Sequence, residues 1–138
     1  MDAPRVLIVE DDRELSRLLA ARLRVAGYDV SVAGDGAMAI MFAQKQRPYV
    51  VLLDLGLPDT DGLLVMKRLN ALIPLASIPV IVITGMPLTE EQEFTIESQA
   101  FALLRKPLDM DRLLATVRAA LSSLSGPAGD EAGAQPLA

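Results

Sequence analysis

Val50-Val51-Leu52-Leu53-Asp54 is an unbroken apolar run closed by a carboxylate. It is too short for a helix and rich in aliphatic and β-branched side chains, so it reads as a strand. A strand with one wet face alternates apolar and polar residues. This one does not, so both of its faces are expected to be buried. A buried strand that ends in an acid sets that acid at the carboxyl edge of its sheet, where open α/β sheets place their ligands.

Working outward, Val6-Leu7-Ile8-Val9 is a second apolar run, ending at Glu10-Asp11-Asp12. Leu15, Leu18, Leu19, Leu23 and Ala26 follow at helical spacing, with Asp12 as cap and Gly27 as the stop. Tyr28 to Ala33 alternates, as a strand near the sheet edge would. Asp35 caps a predicted helix to about Gln46, with Ala37, Ile40, Met41 and Phe42 facing inward. Beyond Asp54, Leu55 to Gly62 is rich in turn residues, and Asp61 caps a helix over Leu63 to Leu72. Val80 to Ile83 is the fourth strand, ending at Thr84-Gly85. Thr89 and Gln92 form a capping box for a helix to about Ser98, whose thin apolar face is Phe94 and Ile96. Phe101 to Leu104 is the fifth strand, ending at Arg105-Lys106-Pro107. Asp109 caps a last helix carrying Leu113, Leu114, Val117, Ala120, Leu121 and Leu124. Residues 125–138 turn to Gly, Ala and Pro and read as a disordered tail or truncated linker, leaving 1–124 as one domain. Strand-helix alternation of this kind implies an α/β fold: a doubly wound parallel sheet, flavodoxin-like (βα)5, in strand order 2-1-3-4-5.

Composition narrows the chemistry. The chain has 138 residues, 51% hydrophobic and 22% charged, which suits one packed domain. Cys and His are both absent, which excludes disulfides, thiolate or Ser-His-Asp catalysis and the usual zinc ligands. Oxygen ligands, Lys and Arg remain. A net charge of -5 argues against direct nucleic-acid binding. No basic stretch precedes an apolar run at the start, so no signal peptide is expected. The uncharged stretch Leu69 to Thr89 is interrupted by Pro74, Pro79, Pro87 and Gly85, so it does not read as a membrane span. The cytoplasm is the expected location.

In the proposed strand order, the residues just past the strands converge: Glu10 and Asp11, Asp54, Thr84 and Lys106. Each has a bland reading alone, as a cap, a turn acid, a β-former or a surface charge. Jointly they make a site. Two carboxylates about 4 Å apart repel by roughly 4 kcal/mol at an effective dielectric of about 20. Three acids at one edge therefore call for cations. Lys106 supplies one, and an all-oxygen ligand set suits Mg²⁺ for the other.

These residues resemble the receiver domain of bacterial two-component response regulators over about Arg5 to Leu124. The matching pieces are Val6 to Asp12, Asp54-Leu55-Gly56-Leu57-Pro58 with Asp61-Gly62, Thr84-Gly85 and Lys106-Pro107. The resemblance implies that Asp54 accepts a phosphoryl group from a histidine kinase or histidine phosphotransfer protein. It implies Mg²⁺ on Asp11, on Glu10 through water, on Asp54 and on the Gly56 carbonyl. Lys106 and the Thr84 hydroxyl would contact phosphoryl oxygens, and Lys106-Pro107 would be cis. The output would pass to a downstream protein or an attached output domain, with no direct contact to nucleic acid or membrane. The family usually carries an aromatic residue three positions before the lysine. Leu103 stands there instead, which puts a threonine–aromatic switch in question; Phe101 is expected on the same strand face as Leu103. Gln99-Ala100-Phe101-Ala102 lacks the acid often found in that strand, which weakens an analogy to regulators that dimerise through the fourth helix, fifth strand and fifth helix. Gly85 is small, which should leave the phosphoryl site open. Two other readings compete: a Mg²⁺-dependent phosphohydrolase with an aspartyl nucleophile, and a partner-binding receiver that is never phosphorylated. Against the first, Gly56 stands two residues after Asp54, where an acid would be needed to protonate a leaving group.

Overall fold

A computed structural model of the chain describes residues 3–72 and 78–123. The strands are β1 (Arg5–Val9), β2 (Asp29–Ala33), β3 (Val50–Asp54), β4 (Val80–Thr84) and β5 (Ala102–Arg105). The helices are α1 (Arg13–Val25), α2 (Gly36–Gln46), α3 (Gly62–Leu72), α4 (Glu90–Gln99) and α5 (Met110–Ser122). All strand pairs are parallel and the order is β2-β1-β3-β4-β5, the expected flavodoxin-like topology.

Successive side chains of a strand point to opposite faces, and both faces of the central strands are covered. Val6, Ile8, Val50, Leu52, Ile81 and Ile83 pack with Leu19, Ala20 and Leu23 of α1 and Leu113, Val117 and Ala120 of α5. Leu7, Val9, Val51, Leu53, Val80 and Val82 pack with side chains of α2, α3 and α4. Every residue of β3 and β4 is buried, which is why neither sequence alternates. β2 is an edge strand, and it alternates.

The caps fall as expected. The Asp12 carboxylate accepts the N–H groups of Glu14 and Leu15, Asp35 that of Met38, and Asp109 those of Asp111 and Arg112. Leu63 N–H donates to Asp61, and Thr89 and Gln92 form the reciprocal capping box. Gly27, at φ +102°, follows α1. Arg47 takes the left-handed conformation (φ 47°) at the end of α2, just before Pro48, where a right-handed helical residue would clash with the proline ring.

Several inward assignments are corrected. On α1, Leu18 is about half exposed and Ala26 is an exposed C-cap; the buried row is Ser16, Leu19, Ala20 and Leu23. On α2, Ala37 and Met41 face out, while Gly36, Ala39 and Ala43 are buried and Ile40 and Phe42 are half-buried. Its first eight residues, Gly36 to Ala43, are all apolar or small, so periodicity could not choose the face. On α4, Ile96 is fully buried but Phe94 is 71% exposed. Residues two apart on a helix lie about 200° apart, so the two could not share an inward face. Phe101 lies in a bend before β5 and packs on the α1/α5 side, whereas Leu103 packs on the opposite side. The strand starts one residue later than expected, so the alternation does not extend to Phe101. Leu124 and the predicted tail lie outside the described residues.

Candidate functional site

The carboxyl ends of β1, β3 and β5 meet. Glu10 follows β1 and is held there by its N–H, which donates to Ala33 O at 3.0 Å. Its side chain is buried; one carboxylate oxygen accepts Asp12 N–H at 3.1 Å and the other accepts Lys106 Nζ at 3.2 Å. Asp54 closes β3 and is also buried. Its Oδ2 lies 3.5 Å from Lys106 Nζ, and its Oδ1 accepts Gly56 N–H at 3.3 Å. Asp11 is exposed beside them. One carboxylate oxygen from each of Glu10, Asp11 and Asp54 lies within 4.8 Å of the others.

Lys106 reaches the acids from just beyond β5. Its N–H donates to Thr84 O at 2.9 Å, which pins the base of the side chain to the end of β4. The Lys106–Pro107 peptide is cis. A Cβ built on Gly85 would lie 3.4 Å from Lys106 Cβ, so Gly85 borders the lysine stem. Thr84 stands at the edge as expected, but it is fully buried and its hydroxyl accepts Met86 N–H at 3.1 Å. The hydroxyl therefore serves the loop after β4 in this structure. Gly56 joins the site through its N–H.

The electrostatics follow from crowding. Burial first, and then Asp54, push the Glu10 carboxyl up to about 7, against the pull of Asp12 N–H and Lys106. Burial alone would lower the Lys106 ammonium; Asp54 and Glu10 outweigh it and hold its pKa above the ordinary lysine value. One ammonium stands against three acids and contacts two of them, Glu10 and Asp54. The surplus negative charge, the oxygen-only donors and the open side at Asp11 fit a hard divalent cation such as Mg²⁺.

One residue of this region was not singled out from the sequence. Asp59, read as a turn residue, accepts Gly36 N–H at 2.8 Å and Ala37 N–H at 3.2 Å. Gly36 N–H is the main cause that holds its carboxyl below the ordinary aspartate value. No local motif announces a bond to a helix start 23 residues away.

The family profile of the response regulator receiver domain matches residues 6–118. Among curated proteins, the chain is 39% identical over 118 residues to the DNA-binding dual master transcriptional regulator RpaA of Synechocystis sp., covering 86% of this chain and 49% of RpaA. It is 37% identical over 117 residues to the DNA-binding response regulator MtrA of Mycobacterium tuberculosis, covering 85% of this chain and 50% of MtrA. The chain thus spans about half the length of the curated relatives it matches. Among solved structures, it is similar to the receiver domain of sensor histidine kinase PA1611 from Pseudomonas aeruginosa, which has a magnesium ion coordinated in its active-site cleft. That match has TM-score 0.78 and 27% identity and covers 88% of this chain and 99% of that one. Vibrio cholerae chemotaxis protein CheY4 matches with TM-score 0.76 and 27% identity over 84% of this chain and 97% of that one. Receiver domains are signalling domains rather than true enzymes. Among the described residues, no helix is long and apolar enough to cross a membrane. With its parallel sheet in order 2-1-3-4-5 and a profile match over most of its length, the chain belongs to the response regulator receiver domain family.

Proposed function

We propose that this domain accepts a phosphoryl group on Asp54 from a phosphohistidine of a partner histidine kinase or histidine phosphotransfer protein. The observation that carries this reading is the bridge made by Lys106 Nζ, 3.2 Å from Glu10 and 3.5 Å from Asp54. It sets a fixed positive charge beside the one buried carboxylate at the end of the central strand.

In the transfer, an Asp54 oxygen attacks phosphorus. The P–O bond forms as the P–N bond to the imidazole breaks, and the imidazole leaves with that electron pair. Lys106 would turn from Asp54 to an oxygen of the arriving group and offset its charge. The Thr84 hydroxyl would leave Met86 N–H to donate to another phosphoryl oxygen. Glu10, Asp11, Asp54 and the Gly56 carbonyl would hold Mg²⁺, which when bound offsets charge on the phosphoryl oxygens. Leu103 packs into the core beside α3 and α4, so no aromatic side chain at that position follows Thr84. The added charge, about −1.5 to −2, would then be felt through Thr84 and Lys106 by the loop after β4 and by α4. A changed surface there would select the downstream partner or attached output domain. Relatives that bind DNA are about twice as long as the matched region. With a net charge of -5, this chain lacks the basic excess that DNA binding draws on.

A small acyl phosphate with Mg²⁺ tests the reading. Wild type gains one phosphoryl mass, and the gain requires the metal. Lys106→Ala should slow the gain by about two to three orders of magnitude, the size expected for a lost charge stabiliser. An unchanged rate in Lys106→Ala, or one independent of Mg²⁺, would count against it.

A further inference from the structure

The loop between β3 and α3 carries Gly56 near its start and is tied down midway, at Asp59, by a contact that the chemistry above does not use. Asp59 accepts the first two N–H groups of α2, Gly36 at 2.8 Å and Ala37 at 3.2 Å. Those donors have no partner within a helix. Asp35, the N-cap of the same helix, takes a different one, Met38 N–H at 2.8 Å. Two acids therefore share one helix start, one local and one reaching across from the phosphoacceptor loop.

The packing around this clasp is close. A Cβ at Gly36 would come 2.5 Å from Thr60 Cγ2 and 3.3 Å from Asp59 Oδ1, so the loop lies directly on the helix start. At the far end of the loop, a Cβ at Gly62 would come 2.6 Å from Leu55 Cα, so the chain folds back on the residue after Asp54. Asp61 caps α3 at 2.9 Å. The segment from Leu55 to Gly62 is thus pinned on α2 through Asp59 and against Leu55 through Gly62.

We infer that Asp59 is a positioning residue: by clasping the α2 N-terminus it holds the Gly56 backbone where a cation at Asp54 needs it. The inference rests on the reading of Asp54, Glu10 and Asp11 as the Mg²⁺ and phosphoryl site. Asp59 would not touch the ion; it fixes the loop that carries the Gly56 carbonyl, which would, in the way that partners of metal ligands set ligand orientation. A carboxylate with two oxygens suits the task, since each oxygen takes one N–H and the helix start favours negative charge.

The test separates positioning from simple helix capping. Mg²⁺ is titrated into wild type, Asp59→Ala, Asp59→Asn and Asp35→Ala, and half-saturation is read from the backbone amide NMR shifts of residues 54–57. Thermal melts are run on the same proteins. Both alanine variants lose a cap on the same helix, so both should melt lower. Asp59→Ala should raise the Mg²⁺ half-saturation about tenfold, the low end of what loss of such a supporting partner costs. Asp59→Asn, which keeps one acceptor oxygen, should fall between it and wild type. Asp35→Ala should leave half-saturation unchanged. Phosphorylation of Asp59→Ala should be slow at low Mg²⁺ and recover at saturation. Unchanged half-saturation in Asp59→Ala, or an equal rise in Asp35→Ala, overturns the inference while leaving the site intact. Wild type with no Mg²⁺-dependent shift at residues 54–57 overturns the site reading and this inference together.

Discussion

The carboxyl edge of β1, β3 and β5 and the helix α4 are held in opposite ways. At the edge, Glu10 and Asp54 are buried and Lys106 is partly buried, and each makes at least two polar contacts. On α4, Ile96 is the one fully buried side chain among the described residues, and Phe94 stands 71% exposed. An ion pair between Glu93 and Arg105 at 3.2 Å, with both side chains about half exposed, also ties the helix to β5. Such pairs are worth about 0–1 kcal/mol. Under the proposed function, geometry is enforced where charge would be placed, and relaxed where the surface would change. A rigid receiver of charge beside a loosely held helix is what a switch requires.

The sharpest way to break the contrast is Ile96→Ala. Removing a fully buried isoleucine side chain should cost about 2–4 kcal/mol. If α4 is held as described, hydrogen exchange should show α4 amides losing protection first, with β1 and β3 keeping theirs. Equal loss in the strands would mean that α4 belongs to the same cooperative unit as the edge.

Lys106→Met probes the other side. It leaves Glu10, Asp11 and Asp54 together without their ammonium. Removing one partner of a buried pair costs about 3–5 kcal/mol, and the lysine side chain is 29% exposed, so the metal-free protein should lose about 2 kcal/mol. Mg²⁺ should restore more stability to the variant than to wild type, read from thermal melts with and without the ion. Melts that Mg²⁺ does not move would argue against a shared charge cluster.

The pH dependence is a smaller effect with a definite sign. Glu10 has its carboxyl raised from 4.5 to about 7 in the folded chain, so the folded state holds that proton more tightly than the unfolded one. The resulting stability is fully present below pH 4.5 and is lost as pH rises through about 7. Denaturant melts of metal-free wild type should therefore fall across that window, by at most about 1.4 kcal/mol per pH unit. Glu10→Gln should remove this slope. Mg²⁺ affinity should rise over the same window as the carboxyl gives up its proton. The smallest effect belongs to Phe94→Ser, which should change stability by no more than about 0.5 kcal/mol. A larger loss would mean that the exposed ring is packed in solution.

Much of this was legible in the residues. Unbroken runs such as Val50 to Leu53 and Val80 to Ile83 identified central strands because burial on both faces erases alternation. The polar residues at the ends of the runs located Glu10, Asp54, Thr84 and, one residue past Arg105, Lys106, since strand ends in a parallel sheet share one edge. What escaped was set by tertiary contacts. Nothing in the all-apolar start of α2 says that Gly36, Ala39 and Ala43 go inward while Ala37 faces out, because Thr60 and Val65 that crowd Gly36 come from a later segment. The role of Asp59 was hidden for the same reason. Phe94 misled because hydrophobicity was weighed without its angle to Ile96, and Phe101 because a bend separates it from β5.

Borohydride reduction puts the assignment of Asp54 to its most direct trial. An aspartyl phosphate reduces to homoserine, which peptide mass spectrometry can place to a single residue. After treatment with a small phosphodonor and Mg²⁺, homoserine is expected at position 54 alone, and none should form in Asp54→Asn. Homoserine at Asp11 or elsewhere in the wild type, or its persistence in Asp54→Asn, would contradict the assignment of Asp54 as the phosphoacceptor.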